Sequence, residues 1–135
     1  DYSEKEPSGT NYNHVGYVNG LINESQKLIK ENKLEKAAYK YSEIKILYNR
    51  LSDYHKNNLI QEIIQLNQKI TSRHVLNLID KSYISLSQEN FEKFNQIYNN
   101  LQKEYSKLDK KTRKEIFPKI CKLLSIIKLT FKDEN

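Results

Sequence analysis

Apolar residues recur along most of this chain at the three- and four-residue spacing of a helix that buries one face. Val18, Leu21, Ile22, Ser25, Leu28 and Ile29 form the first stripe. Leu34, Ala37, Ala38, Tyr41, Ile44, Leu47, Tyr48 and Leu51 form the second, and Leu59, Ile60, Ile63, Ile64, Leu66 and Ile70 the third. The pattern then starts again with Val75 to Leu86, continues through Phe91, Phe94, Tyr98, Leu101, Tyr105 and Leu108, and ends with Ile116 to Leu129. The breaks have their own chemistry. Asn32-Lys33 supplies a residue that tolerates the left-handed conformation at a helix end. Ser52 and Asp109 are N-caps, because a side-chain oxygen there can accept a bond from an unpaired backbone N–H.

The restart is a duplication. Shifting the chain by 57 positions aligns Val18–Ile70 with Val75–Ile127 without a gap. Identical pairs include Val18/Val75, Leu21/Leu78, Ser25/Ser82, Tyr41/Tyr98, Tyr48/Tyr105, Leu51/Leu108 and Leu66/Leu123. Most identities are apolar or aromatic, whereas a low-complexity match would consist of Lys and Asn. The pattern therefore predicts an all-α fold of two tandem three-helix units, each an A–B hairpin followed by helix C. Together they form a short solenoid or bundle of five or six helices. The expected boundaries are a flexible leader over 1–14, units over 15–72 and 73–132, and a tail over 133–135. Thr71-Ser72-Arg73-His74 contains neither Gly nor Pro. The first helix C and the second helix A are thus either separate or fused into one helix from about Asp53 to Ser87. Pro118 lies about two turns into the last helix and predicts a kink there.

The A–B hairpin resembles a tetratricopeptide hairpin. Leu21, Ser25, Ala37 and Tyr41 follow that family's order of a large apolar residue, a small one, then a small residue and an aromatic four apart. Asn32-Lys33-Leu34-Glu35-Lys36-Ala37 matches its turn and the start of its second helix. In the second unit Leu78, Ser82 and Tyr98 fit, while Phe94 replaces the small residue. Ser stands for the family's glycine in both units, and Asn49 and Ser106 stand where its closing proline would be. The likeness covers about 34 residues of each unit. It implies a fold that presents surfaces to partners, with Leu21, Ser25, Tyr41, Tyr48, Leu78, Ser82, Tyr98 and Tyr105 as repeat-packing positions. Leu21, Ser25, Leu78 and Ser82 would form the wall of a groove between the A helices.

Composition narrows the choice of function. The chain has 135 residues, a formal charge of +6, one Cys, three Gly, two Pro, and neither Met nor Trp. One Cys excludes a disulfide framework and a cysteine-built zinc site. Three glycines leave almost no material for a phosphate-cradling loop. The start at Asp1 without Met reads as a processed or excised piece of a longer product. No charged-then-apolar pattern marks a signal peptide and no run is long and apolar enough to span a membrane. The cytoplasm is then the default location, and a surface location follows if the chain is excised from a longer protein. His14, His55 and His74 lack metal-ligand spacing, and no nucleophile–base–acid set is present. The expectation is a chain that is not an enzyme and has no cofactor or metal. Asn23-Glu24-Ser25 matches a glycosylation acceptor, but Ser25 lies on the buried stripe. Cys121 reads as a buried structural thiol.

Two features remain for function. The last helix carries more apolar residues than one face can hold, which marks Phe117, Leu124 and Phe131 as partner-binding residues. The leading expectation is accordingly a non-catalytic protein–protein interaction or assembly module that binds a protein partner or its own copies. The second feature is the basic stretch over 103–122, where Lys103, Lys107, Lys110, Lys111, Arg113 and Lys114 are candidate anion contacts. Their alternative reading is non-specific binding to nucleic acid or an anionic surface. Lys rather than Arg carries this charge, which argues against sequence-specific recognition. AT-rich codons also favour Lys, Asn and Ile, weakening any argument from charge alone. A third possibility is a structural spacer in a larger surface-exposed or membrane-anchored protein.

Overall fold

The computed structural model describes residues 9–132, with side chains over 14–130. The described residues are all-α, in five helices: α1 (Gly9–Lys30), α2 (Leu34–Tyr48), α3 (Asp53–Ser87), α4 (Phe91–Ser106) and α5 (Lys110–Lys132). The segments expected as helix C of the first unit and helix A of the second are one helix, since α3 runs for 35 residues without interruption. Polar Thr71-Ser72-Arg73-His74 lacks a breaker, and the helix simply propagates through it.

α1 already begins at Gly9, inside the stretch 1–14 expected to be a leader; residues 1–8 and the expected tail 133–135 lie outside the described residues. No Pro follows Gly9 in that stretch, so helix extends backward from the packed Val18 turn at one hydrogen bond per residue. The second helices are also shorter than their stripes. α2 ends at Tyr48 and α4 at Ser106, and Leu51 and Leu108 lie in the connecting turns while remaining buried. Here the backbone tightens, with Leu51 N–H donating to Tyr48 O at 3.0 Å and Leu108 N–H to Tyr105 O at 3.1 Å. α5 continues through Pro118.

Two compact units meet at the Ile70–Thr71 bond. The first comprises α1, α2 and α3 as far as Ile70; α1 and α2 pack as a hairpin. Its core is Val18, Leu21, Ile22, Ile29, Ala37, Ile44, Leu51, Leu59, Ile63 and Leu66. The second comprises the remainder of α3 with α4 and α5, around Val75, Leu78, Ile79, Leu86, Phe94, Leu101, Leu108, Ile116 and Leu123. Every member of this second core lies 57 residues after a member of the first. Only Ile63 lacks a fully buried counterpart, since Ile120 is half-buried against the second core.

The A–B turns obey the same register. Asn32 has φ 58° and Glu89 has φ 56°, both in the left-handed region. Asn32 N–H donates to Ile29 O (2.9 Å) and Lys33 N–H to Leu28 O (2.8 Å); Glu89 N–H donates to Leu86 O (3.0 Å) and Asn90 N–H to Ser85 O (2.9 Å). Each pair is a Schellman closure, which satisfies carbonyls left over at a helix C-terminus. The following N-caps differ. Asn90 Oδ1 accepts from Lys93 N–H at 3.2 Å, whereas Lys33 provides no side-chain cap to α2.

Ser25 and Ser82 are both fully buried. Ser82 Oγ donates to Leu78 O at 2.8 Å, while Ser25 Oγ has no hydrogen-bond partner. Phe94, in the place of small Ala37, is buried and stacks on Tyr98 with centroids 5.6 Å apart and planes 16° from parallel. Where the first unit buries the small Ala37, the second buries a ring stacked on its neighbour one turn on.

Candidate functional site

α5 is the element on which the two function-bearing features of the sequence meet. Asp109 sets its start: Oδ1 accepts from Thr112 N–H at 2.7 Å, the N-cap geometry its position predicts. Bonds from the Thr112 backbone N–H and hydroxyl hold the Asp109 carboxyl below its ordinary range, helped by Lys111 and Arg113. Ser52, the aligned residue, occupies the same position before α3 but does not cap with its side chain. Lys56 N–H bonds the Ser52 carbonyl at 2.9 Å, and Ser52 Oγ is buried without a partner.

α4 is tied to the first turns of α5 by Tyr105, whose hydroxyl donates to Arg113 O at 3.0 Å. This contact forms one wall of a shallow groove of about 330 Å³, lined by Tyr105, Lys110, Arg113, Lys114 and Phe117. Three cations line it and no carboxylate does, although the Asp109 cap lies within electrostatic reach of Arg113. Spacings of four and three residues place Lys110, Lys114, Phe117, Cys121 and Leu124 on one face of α5. Phe117 is 53% exposed and Leu124 36%. Leu129, further round the helix, is 64% exposed. Ile116 and Leu123 point into the core, with Ile120, Ile126 and Ile127 half-buried beside them. The last helix therefore buries one apolar stripe and leaves a second uncovered.

Of the six candidate anion contacts, the groove gathers Lys110, Arg113 and Lys114. Lys103, Lys107 and Lys111 are exposed outside its lining, and Lys107 is held by Glu104 at 3.2 Å. Among the partner-binding candidates, Phe117 and Leu124 are solvent-facing, and the side chain of Phe131 lies outside the described residues. Cys121 corrects the expectation of a buried thiol, for it is exposed. It lies five residues from Ile116, too far round the helix to join the core stripe, and its aligned residue Ile64 is likewise 47% exposed.

The residues expected at repeat-packing positions divide by burial. Leu21, Ser25, Leu78 and Ser82 are all buried and cannot form the wall of an open groove. The four aligned tyrosines are half-buried. Burial raises the Tyr41 hydroxyl above its ordinary pKa, and Lys45 and Lys56 ammoniums lie 5.1 and 5.7 Å from the Tyr41 and Tyr48 rings. They serve packing.

A larger groove of about 450 Å³ lies along α1 and α2, and sequence reading passed it over. Glu24, Glu31 and Glu35 face Lys27, Lys36 and Lys40 there, beside the exposed Tyr39 ring. Lys40 bonds Glu24 at 3.2 Å, and that bond holds the ammonium above its ordinary pKa. These residues read in sequence as an ordinary solvated face. Their charges balance, so the groove offers no net field to a ligand. Among the described residues no cluster of His, Cys, Asp and Glu can hold a metal ion, and no helix is long and apolar enough to cross a membrane.

No family model matches this chain, and neither a curated protein nor a solved structure matches it.

Proposed function

We propose that this chain is a non-catalytic interaction or assembly module, which docks a protein partner or its own copies through the uncovered side of α5. One observation carries the reading: Phe117 and Leu124 are exposed on one face of a helix whose adjacent apolar stripe, Ile116 and Leu123, is already buried. Two large side chains held in water on one face gain free energy when a partner covers them. The tetratricopeptide-like character belongs to the same proposal. It is supported by small Ser25 and Ser82 buried at hairpin positions and by left-handed turns at Asn32 and Glu89.

Leu124→Lys is the test. Because Leu124 is partly exposed, the variant keeps its helical circular dichroism and loses under about 1 kcal/mol of stability. Its crosslinked partner, or its self-association in sedimentation, disappears. If Leu124→Lys unfolds the chain, the face is core; if association persists in the folded variant, the reading fails. A second reading rests on the three cations of the groove, which favour non-specific binding to nucleic acid or an anionic surface. Such binding weakens steeply between about 50 and 200 mM salt, whereas apolar docking barely changes.

A further inference from the structure

The groove and the apolar stripe are one continuous surface with its chemistry divided along α5. Lys110, Arg113 and Lys114 occupy its first turns, and Phe117, Cys121 and Leu124 the next two. From Lys110 to Leu124 it extends about 21 Å at 1.5 Å per residue. The start of α5 is the positive end of the helix dipole, which the Asp109 cap offsets in part.

We infer that this face takes an acidic, amphipathic segment of a protein partner, its carboxylates over Lys110, Arg113 and Lys114 and its apolar residues over Phe117 and Leu124. The inference rests on the interaction reading above and adds the partner's chemistry to it. Charge complementarity selects an anion, because three cations line the groove and no carboxylate does. The division selects a peptide among anions. A nucleic-acid strand carries a phosphate on every nucleotide, and those crossing Phe117, Cys121 and Leu124 would lie over three uncharged side chains in a row, between Lys114 and Lys128. Stacking is also poorly served, since Tyr105 is half-buried with its hydroxyl committed to Arg113 O, leaving only Phe117 open. A lipid surface is planar, and the groove is concave. A helix with Glu or Asp in its first turns and Leu or Phe at i+3, i+4 and i+7 thereafter matches both halves.

The experiment selects from a random peptide library on the full chain and counter-selects on Lys110→Glu/Lys114→Glu. Both positions are exposed, and glutamate suits the first turn of a helix, where Lys110 lies, so the variant folds; circular dichroism checks it. Enriched peptides should combine clustered Asp or Glu with Leu, Phe or Trp. They should bind the charge-reversed variant at least tenfold more weakly, and Glu-to-Lys versions of the same peptides should recover that variant. Leu124→Lys should weaken them as well. Enrichment of neutral or basic peptides, or none that distinguishes the two proteins, overturns the acidic assignment. If Leu124→Lys abolishes binding while Lys110→Glu/Lys114→Glu does not, the interaction reading survives and this inference falls. Tight binding of a 20-nucleotide oligo-dT or of phosphatidylserine vesicles, lost in the charge-reversed variant, gives the face to those ligands instead.

Discussion

Glu89 holds a conformation that its side chain disfavours. At φ 56° its Cβ crowds the following carbonyl, at a cost of roughly 1–2 kcal/mol that glycine avoids. Asn32 meets the same demand with a residue that visits the left-handed region readily. Glu89→Gly is therefore expected to stabilise the second unit by about 1 kcal/mol, while Asn32→Gly changes the first by a few tenths. Urea denaturation compares them, and a lower midpoint for Glu89→Gly would refute the strain. Asp109 contributes differently, through its charge. Hydrogen bonds and neighbouring cations lower its folded-state pKa, so its contribution is complete above the ordinary carboxylate range and is lost as pH falls through the lowered value. Asp109→Asn keeps the cap acceptor but removes the titration. Thermal midpoints of the variant should decline less between pH 6 and pH 3 than those of the parent; parallel curves would show that Asp109 does not couple to folding.

At the scale of elements, the two hairpins solve one packing problem with different residues. Ala37 is fully buried at the contact of α2 with α1, whereas Phe94 fills the aligned position and stacks on Tyr98. Exchanging them should fail in both directions. Phe94→Ala opens a cavity and is expected to cost about 3–5 kcal/mol, and Ala37→Phe overpacks the first hairpin by about 1–3 kcal/mol. Chemical denaturation of each variant measures this, and a Phe94→Ala loss under about 1 kcal/mol would mean that the second hairpin collapses onto the gap. The apolar spacing made these hairpins legible in the sequence, and residue chemistry did the same for the left-handed turn at Asn32 and the cap at Asp109. The turn at Glu89 was not, because nothing in a glutamate signals positive φ; only its register with Asn32 does. The exposure of Cys121 was missed for a related reason. Composition groups Cys121 with the many apolar residues of 116–131, but a helix has one buried side, and residue spacing decides which positions share it.

For the whole molecule, the register of burial is the governing fact. Leu66 and Leu123 lie 57 residues apart, are both fully inaccessible, and belong to separate clusters, one for each unit. Candidate site residues were harder to read than this core, because charge and apolarity on α5 only acquire meaning once the buried stripe is known. Separate cores make a prediction about where damage travels. Leu66→Ala and Leu123→Ala each remove the same side-chain volume from an equally closed environment, so each should cost about 2–5 kcal/mol. Local stability follows the contacts that protect a segment. In native-state hydrogen exchange, Leu123→Ala should accelerate amides of α4 and α5 more than those of α1 and α2, and Leu66→Ala should do the reverse. Two variants that accelerate all helices alike would show that the shared helix α3 couples the cores into one cooperative unit, and the division at Ile70 would then describe packing rather than stability.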